Sequence, residues 1–144
     1  MEQQKGFSLI ELLLVVVIIA VVAALAVPAY QKGLWAAENG SALSNLRIMG
    51  STQVQFYSQN ERFGNLQEIR AMNNGIGTVA GDRLFKSRYV FEMTPEVPTP
   101  GELKTKYTIA AIREVEGQAT YRYEIDESGK IRRIFPTASE DASQ

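Results

Sequence analysis

Glu11 is the only charged residue between Lys5 and Lys32. From Leu12 to Val27 the chain is uncharged and almost wholly aliphatic. An ionised carboxylate at the middle of a bilayer costs about 2.5–3.5 kcal/mol. Near a helix start the cost falls, because the N-terminal end of the helix dipole favours negative charge. A positive partner would relieve the rest, and in a low-dielectric medium that attraction far exceeds its value in water. The chemistry open to Glu11 is therefore charge pairing. The plainer alternative is an acid at a helix start that faces lipid headgroups.

The remaining chemistry-bearing residues are few. The chain has no His and no Cys. Disulfides, thiolate sites and thiol catalysis are excluded, and the usual general base and commonest metal ligand are missing. No nucleophile–base pair, phosphate loop or metal-spacing motif occurs, so no catalytic residue, metal site or cofactor is expected and the chain is not read as an enzyme. Asp126 and Glu127 beside Gly129 raise the question of calcium. Calcium needs six to eight oxygens, and two acids in a turn read more simply as a solvated hairpin. Arg122, Lys130, Arg132 and Arg133 could meet phosphate, but Glu124, Asp126 and Glu127 stand among them, which favours cross-strand pairing. With a net charge of −1, nucleic acid is not an expected partner.

The elements that must position Glu11 follow from the apolar run. Phe7 to Val27 is 21 residues. At about 1.5 Å per residue such a helix spans roughly 32 Å, enough for a hydrocarbon core of about 30 Å. The β-branched stretch Val15 to Ile19 is a poor helix in water. In lipid the backbone must satisfy itself, so helix wins. Pro28 closes the run, and a kink or loss of helix is predicted over residues 24–28. A secretory signal peptide fits less well. The start is weakly basic and the apolar region is long, although Ala24-Leu25-Ala26 has a cleavage-site pattern.

Lys5-Gly6-Phe7-Ser8-Leu9-Ile10-Glu11-Leu12 resembles, residue by residue, the N-terminus of the type IV pilin and type II secretion pseudopilin family. That signature is a short leader ending in Gly, then Phe, a hydroxyl residue, Leu, Ile and Glu ahead of an apolar helix. Pro28 matches the family's helix-disturbing proline. The resemblance covers about residues 1–30. It implies cleavage between Gly6 and Phe7 by a prepilin peptidase, and N-methylation at Phe7. It further implies an inner-membrane subunit with a periplasmic head, which later joins an extracellular or periplasmic filament. Phe7 and Glu11 would serve filament assembly, and Pro28 would break the helix. Implied partners are sister pilins, an inner-membrane platform protein and an outer-membrane secretin. The mid-helix glycine common in the family is absent near Ala20. The C-terminal disulfide of many pilins is excluded by the lack of Cys.

The rest of the chain reads as a soluble head over 29–135. A helix is predicted over 29–58, with Ala42, Leu46, Met49 and Phe56 on one face and Leu43, Val54 and Tyr57 flanking it. Tyr30 and Trp35 read as membrane-interface anchors, and Phe56 and Tyr57 as core. Gly33, Gly40 and Gly50 each weaken the helix by about 1 kcal/mol against Ala. Either packing rescues a marginal helix, which is the simpler reading, or a close approach requires them. Residues 59–87 form a turn-rich connection with a short helix at Leu66–Met72. An antiparallel sheet of three or four strands is predicted over 88–135: Arg88–Thr94, Lys106–Glu114, Ala119–Asp126 and Lys130–Phe135. Gly117 and Gly129 would supply positive φ in its tight turns. Residues 136–144 read as a disordered tail.

The fold class expected is thus α+β: a long N-terminal helix, its first half transmembrane, whose second half packs on an antiparallel meander. The expected units are leader 1–6, filament-core helix 7–28, head 29–135 and tail 136–144. The expected function is a structural subunit of a type IV pilus-like filament. The alternatives are a type II secretion pseudopilin and a signal-anchored periplasmic binding domain that does not polymerise.

Overall fold

The computed structural model describes residues 6–115 and 118–135. The leader before Gly6, the turn at Gly117 and the tail 136–144 lie outside the described residues. The chain divides into two units, Met1–Ala37 and Glu38–Gln144. One helix, α1 (Leu9–Asn60), contributes to both. α1 is α-helical without interruption through Pro28. The loss of helix expected over 24–28 is therefore not seen. Proline lacks one donor, but its fixed φ is helical, and the turns on either side supply their own bonds.

In the first unit every residue from Gly6 to Ala37 is exposed. The second unit begins at Glu38, the first residue of α1 that is not exposed. From Glu38 onward α1 becomes amphipathic. Ala42, Leu46, Met49 and Phe56 are buried, as their spacing predicts. Asn45, Thr52 and Gln53 are buried with them. Tyr57, expected in the core, is 42% exposed. It covers Phe63 instead, with ring centroids 4.8 Å apart.

The sheet has six strands, not three or four. They are β1 (Thr78–Ala80), β2 (Arg83–Lys86), β3 (Tyr89–Met93), β4 (Thr108–Val115), β5 (Gln118–Asp126) and β6 (Ile131–Phe135), antiparallel in the order β1-β2-β3-β4-β5-β6. The last four match the predicted strands within two residues at each end. β1 and β2 fall inside the predicted connection 59–87, so the sheet starts at Thr78 and not at residue 88. Gly81-Asp82 joins them as a two-residue turn with Gly81 at φ 63°. Three- and four-residue strands carry too little alternation to read from sequence, and pairing with β3 stabilises them. Gly129 has the predicted positive φ, at 72°.

The inner face of the sheet presents Leu84, Tyr89, Phe91, Met93, Ile109, Ala111, Tyr123 and Ile125 to α1. α2 (Leu66–Met72) begins at a capping box. Asn65 Oδ1 accepts from the Glu68 amide and Glu68 Oε2 from the Asn65 amide, each at 2.9 Å. Two buried side-chain amides tie the connection to α1. Gln53 Nε2 donates to the Gly64 carbonyl and Gln53 Oε1 accepts from the Gly64 amide, both at 2.7 Å. Asn45 Nδ2 donates to the Ile76 carbonyl at 2.8 Å.

Candidate assembly site on the N-terminal helix

Phe7 and Ser8 precede α1 in extended or irregular backbone, and Leu9 is the first helical residue. The Ser8 backbone amide donates to Glu11 Oε2 at 2.8 Å. Ser8 stands where an N-cap stands and Glu11 three positions on, so this contact is one half of a capping box. The Leu12 amide donates to the Ser8 carbonyl at 3.2 Å and closes the first turn. The carboxylate thus satisfies an orphan amide of the helix start, where the dipole also favours it. Ser8-x-x-Glu11 was readable as this motif from the sequence. Attention to the charge alone passed over it.

Behind the cap, α1 carries an 18-residue window of mean hydropathy 3.2, none of it buried. It is long and apolar enough to cross a membrane. Phe7, 87% exposed, leads this surface. A bare apolar helix of this length demands a nonpolar surrounding, whether lipid or other helices.

In the last hairpin Arg122, Glu124, Asp126 and Arg132 are internally paired. Arg122 Nε lies 2.9 Å from Glu124 Oε1, and Arg122 Nη1 lies 3.9 Å from Glu92 Oε1 on β3. Arg132 Nη2 donates to Asp126 Oδ2 at 2.7 Å. Asp126 also accepts from the amide and hydroxyl of Ser128. The Ser128 hydroxyl, joined by the Ser128 amide, Arg132 and Lys130, holds the Asp126 carboxyl below its usual range, while burial opposes them. This is a self-contained turn, with Glu127 exposed beside it. Among the described residues no group of three or more acids gathers as a metal site would require.

The N-terminal segment matches a family model for the prokaryotic N-terminal methylation motif over residues 1–27. The chain is 26% identical over 129 residues to type IV major pilin protein PilE1 of Neisseria gonorrhoeae, covering 90% of this chain and 73% of that one. It is 36% identical over 61 residues to type IV major pilin protein PilA of Myxococcus xanthus. The chain is thus similar to type IV major pilins, most clearly at its N-terminus.

That match with the Myxococcus pilin covers 42% of this chain and 28% of the relative. Fimbrial protein Q of Moraxella bovis is 33% identical over 84 residues, 56% of this chain and 53% of that one. The chain thus spans about a quarter of the Myxococcus relative and about half of the Moraxella one. No solved structure matches the chain. The methylation motif and the exposed apolar helix fall on the same residues, so the N-terminal half of α1 is the candidate membrane anchor and assembly surface.

Proposed function

We propose that this chain is the structural subunit of a type IV pilus-like filament, cut between Gly6 and Phe7, methylated at the Phe7 amine and polymerised through α1. The observation that carries this reading is a methylation motif placed at the start of an exposed apolar helix of membrane-spanning length. The head would face the periplasm while the subunit waits in the inner membrane. A prepilin peptidase, a platform protein and an outer-membrane secretin would serve its processing and export.

In this reading Glu11 has two successive partners. In the isolated subunit it caps its own helix through Ser8. Cleavage then creates a positive amine at Phe7, and in the filament the carboxylate turns to the Phe7 amine of a neighbour. Two unit charges about 4 Å apart attract by about 4 kcal/mol at an effective dielectric near 20. An apolar helix can slide along another with little change in energy. The charge pair has one best offset, so it sets the stagger between subunits.

The test is peptide mass spectrometry of the N-terminus, from native membranes and from sheared surface material. A mature N-terminus at Phe7 carrying one methyl, abundant in the sheared fraction, is the expected result. Protein confined to the periplasm with the same N-terminus would identify a pseudopilin. An intact Met1, or a cut near Ala26, would overturn the filament reading.

A further inference from the structure

Glu38 is the first residue of α1 that is not fully exposed, and it opens the second unit. Its carboxylate meets two arginines. Oε2 lies 2.8 Å from Nη1 of Arg113 on β4, and Oε1 lies 3.4 Å from Nε of Arg88 in the β2–β3 turn. The contact with Arg113 is an ion pair whose angle falls short of a hydrogen bond. Arg113 itself is 3% exposed, rare for an arginine. One residue on, Asn39 Oδ1 accepts from the buried Tyr89 hydroxyl at 2.7 Å. The first apolar anchors, Ala42, Leu46 and Met49, follow only after these contacts.

We propose that Glu38 and Asn39, with Arg113, Arg88 and Tyr89, form a polar collar that fixes the register of α1 on the sheet. The same collar sets the limit beyond which opening of the anchor helix cannot spread into the head. Its use in assembly rests on the filament reading; its physical action does not. An apolar stripe spaced three and four residues apart looks much like itself after a slide of one turn. By spacing alone Leu46 could take the place of Ala42, and Met49 that of Leu46; further along, Asn45 on Ile76, Gln53 on Gly64 and the Gly50–Ile125 approach oppose the same slide. The collar has no such alternative, because a slide would carry Glu38 away from the buried charge of Arg113. Buried ion pairs add little net stability, since desolvation offsets the attraction, and their best-attested use is to specify register.

The helix on the anchor side of the collar is intrinsically weak. Pro28 leaves one carbonyl without its bond, and Gly33 stands with nothing within 4 Å of its would-be side chain. Opening that begins there runs through exposed turns until it reaches Glu38. Beyond that point it must break an ion pair and the Asn39–Tyr89 bond before it reaches the buried face of Ala42, Leu46 and Met49.

Hydrogen exchange of the full chain in lipid nanodiscs tests the collar. In the parent protein, amide protection is expected to rise sharply across residues 38–44. With Glu38→Gln and Asn39→Ala together, the 38–44 peptide should exchange at least tenfold faster, while β3 and β4 keep their rates. Glu38→Gln alone, which keeps the side-chain size, should give the same pattern at smaller amplitude and serves if the double variant does not fold. Arg88→Ala, which removes the exposed arm, should change the rate less than threefold. Unchanged exchange at 38–44 overturns the proposal. So does acceleration of β3 and β4 by the same factor, which would make the pair a general support of the head. The exchange is read in the membrane-bound subunit, so its result stands whether or not the chain is cut at Phe7 and polymerises.

Discussion

Gly50 of α1 and Ile125 of β5 approach so closely that a Cβ on the glycine would stand 2.7 Å from the isoleucine Cδ1. Of the three glycines of α1, this one is required by packing; Gly33 and Gly40 face open space. Ala in place of Gly gains about 1 kcal/mol of helix propensity. At Gly50 that gain is opposed by overpacking, commonly about 1–3 kcal/mol. The Ile125 terminal methyl can rotate, but at 2% exposure it has nowhere open to go. Gly50→Ala should therefore unfold at a lower temperature than Gly40→Ala, and Gly50→Val lower still. Thermal unfolding of the full chain in detergent reads the order. A Gly50→Ala variant as stable as Gly40→Ala would remove the close approach from the account.

Gln53 acts as a short piece of backbone. Its amide both donates to and accepts from Gly64, in a fully buried place. Gln53→Ala strands the Gly64 donor and acceptor together and leaves a gap. A stranded buried polar group costs about 1–3 kcal/mol, so the variant should lose roughly 2–4 kcal/mol. Denaturant titration measures the loss. A midpoint shifted by less than one kcal/mol equivalent would show that water replaces the side chain, at about the value of an ordinary bond.

Tyr107 makes stability depend on alkaline pH. Burial, then the nearby charges of Asp126 and Glu127, push its phenol from an ordinary 10 up to about 12. Below pH 10 the phenol is neutral in both folded and unfolded chains, so its contribution to stability is fully present. Between about pH 10 and 12 only the unfolded chain ionises, and stability falls as pH rises through that window. Two units correspond to about 2.7 kcal/mol at most. Tyr107→Phe keeps the ring and its edge contact with Phe63, and should flatten this part of the profile. Tyr89, also raised by burial, keeps the residual slope. An unaltered profile in Tyr107→Phe would assign the whole dependence elsewhere.

Acid acts on α2. The paired Arg62 side chain, and then the Asn65 amide, hold Glu68 below its ordinary 4.5, while burial opposes them. A depressed carboxyl contributes stability that is present above the ordinary value and lost as pH falls through the folded one. Protection factors at Ile69 and Asn73, whose amides close turns of α2, should therefore fall as pH drops below the ordinary 4.5. Glu68→Gln should show low protection already at neutral pH and little further change on acidification. If Glu68→Gln matches the parent at both pH values, the capping box is not what holds α2.

For Glu11, the double role predicts that Glu11→Ala leaves membrane insertion and the cut after Gly6 intact but abolishes incorporation into sheared filaments. The helix start would lose about 1 kcal/mol at most from the missing cap. Normal filament yield from this variant would show that the stagger between subunits is set without the charge.

The sequence by itself determined the apolar helix and the fold class. An apolar run from Leu12 to Val27, the motif Lys5–Leu12 and one acid at Glu11 are local patterns, and local patterns survive without knowledge of contacts. The same holds for the strong strands β3 to β6, for α2 behind its Asn65–Glu68 box and for the face Ala42, Leu46, Met49 and Phe56. What the tertiary structure alone decided are relations between residues far apart in the chain. β1 and β2 are too short to announce themselves and exist because β3 offers them an edge. Gly50 could not be told from Gly40 until Ile125 was placed beside it. Gln53 and Asn45 look like surface residues in a helix, and only the positions of Gly64 and Ile76 bury them. Arg113 shares the inward face of β4 with Ile109 and Ala111, an uncommon place for a charge. Its burial, and its ion pair with Glu38, depend on where α1 crosses the sheet, which is set by the summed packing of the core and written in no single segment.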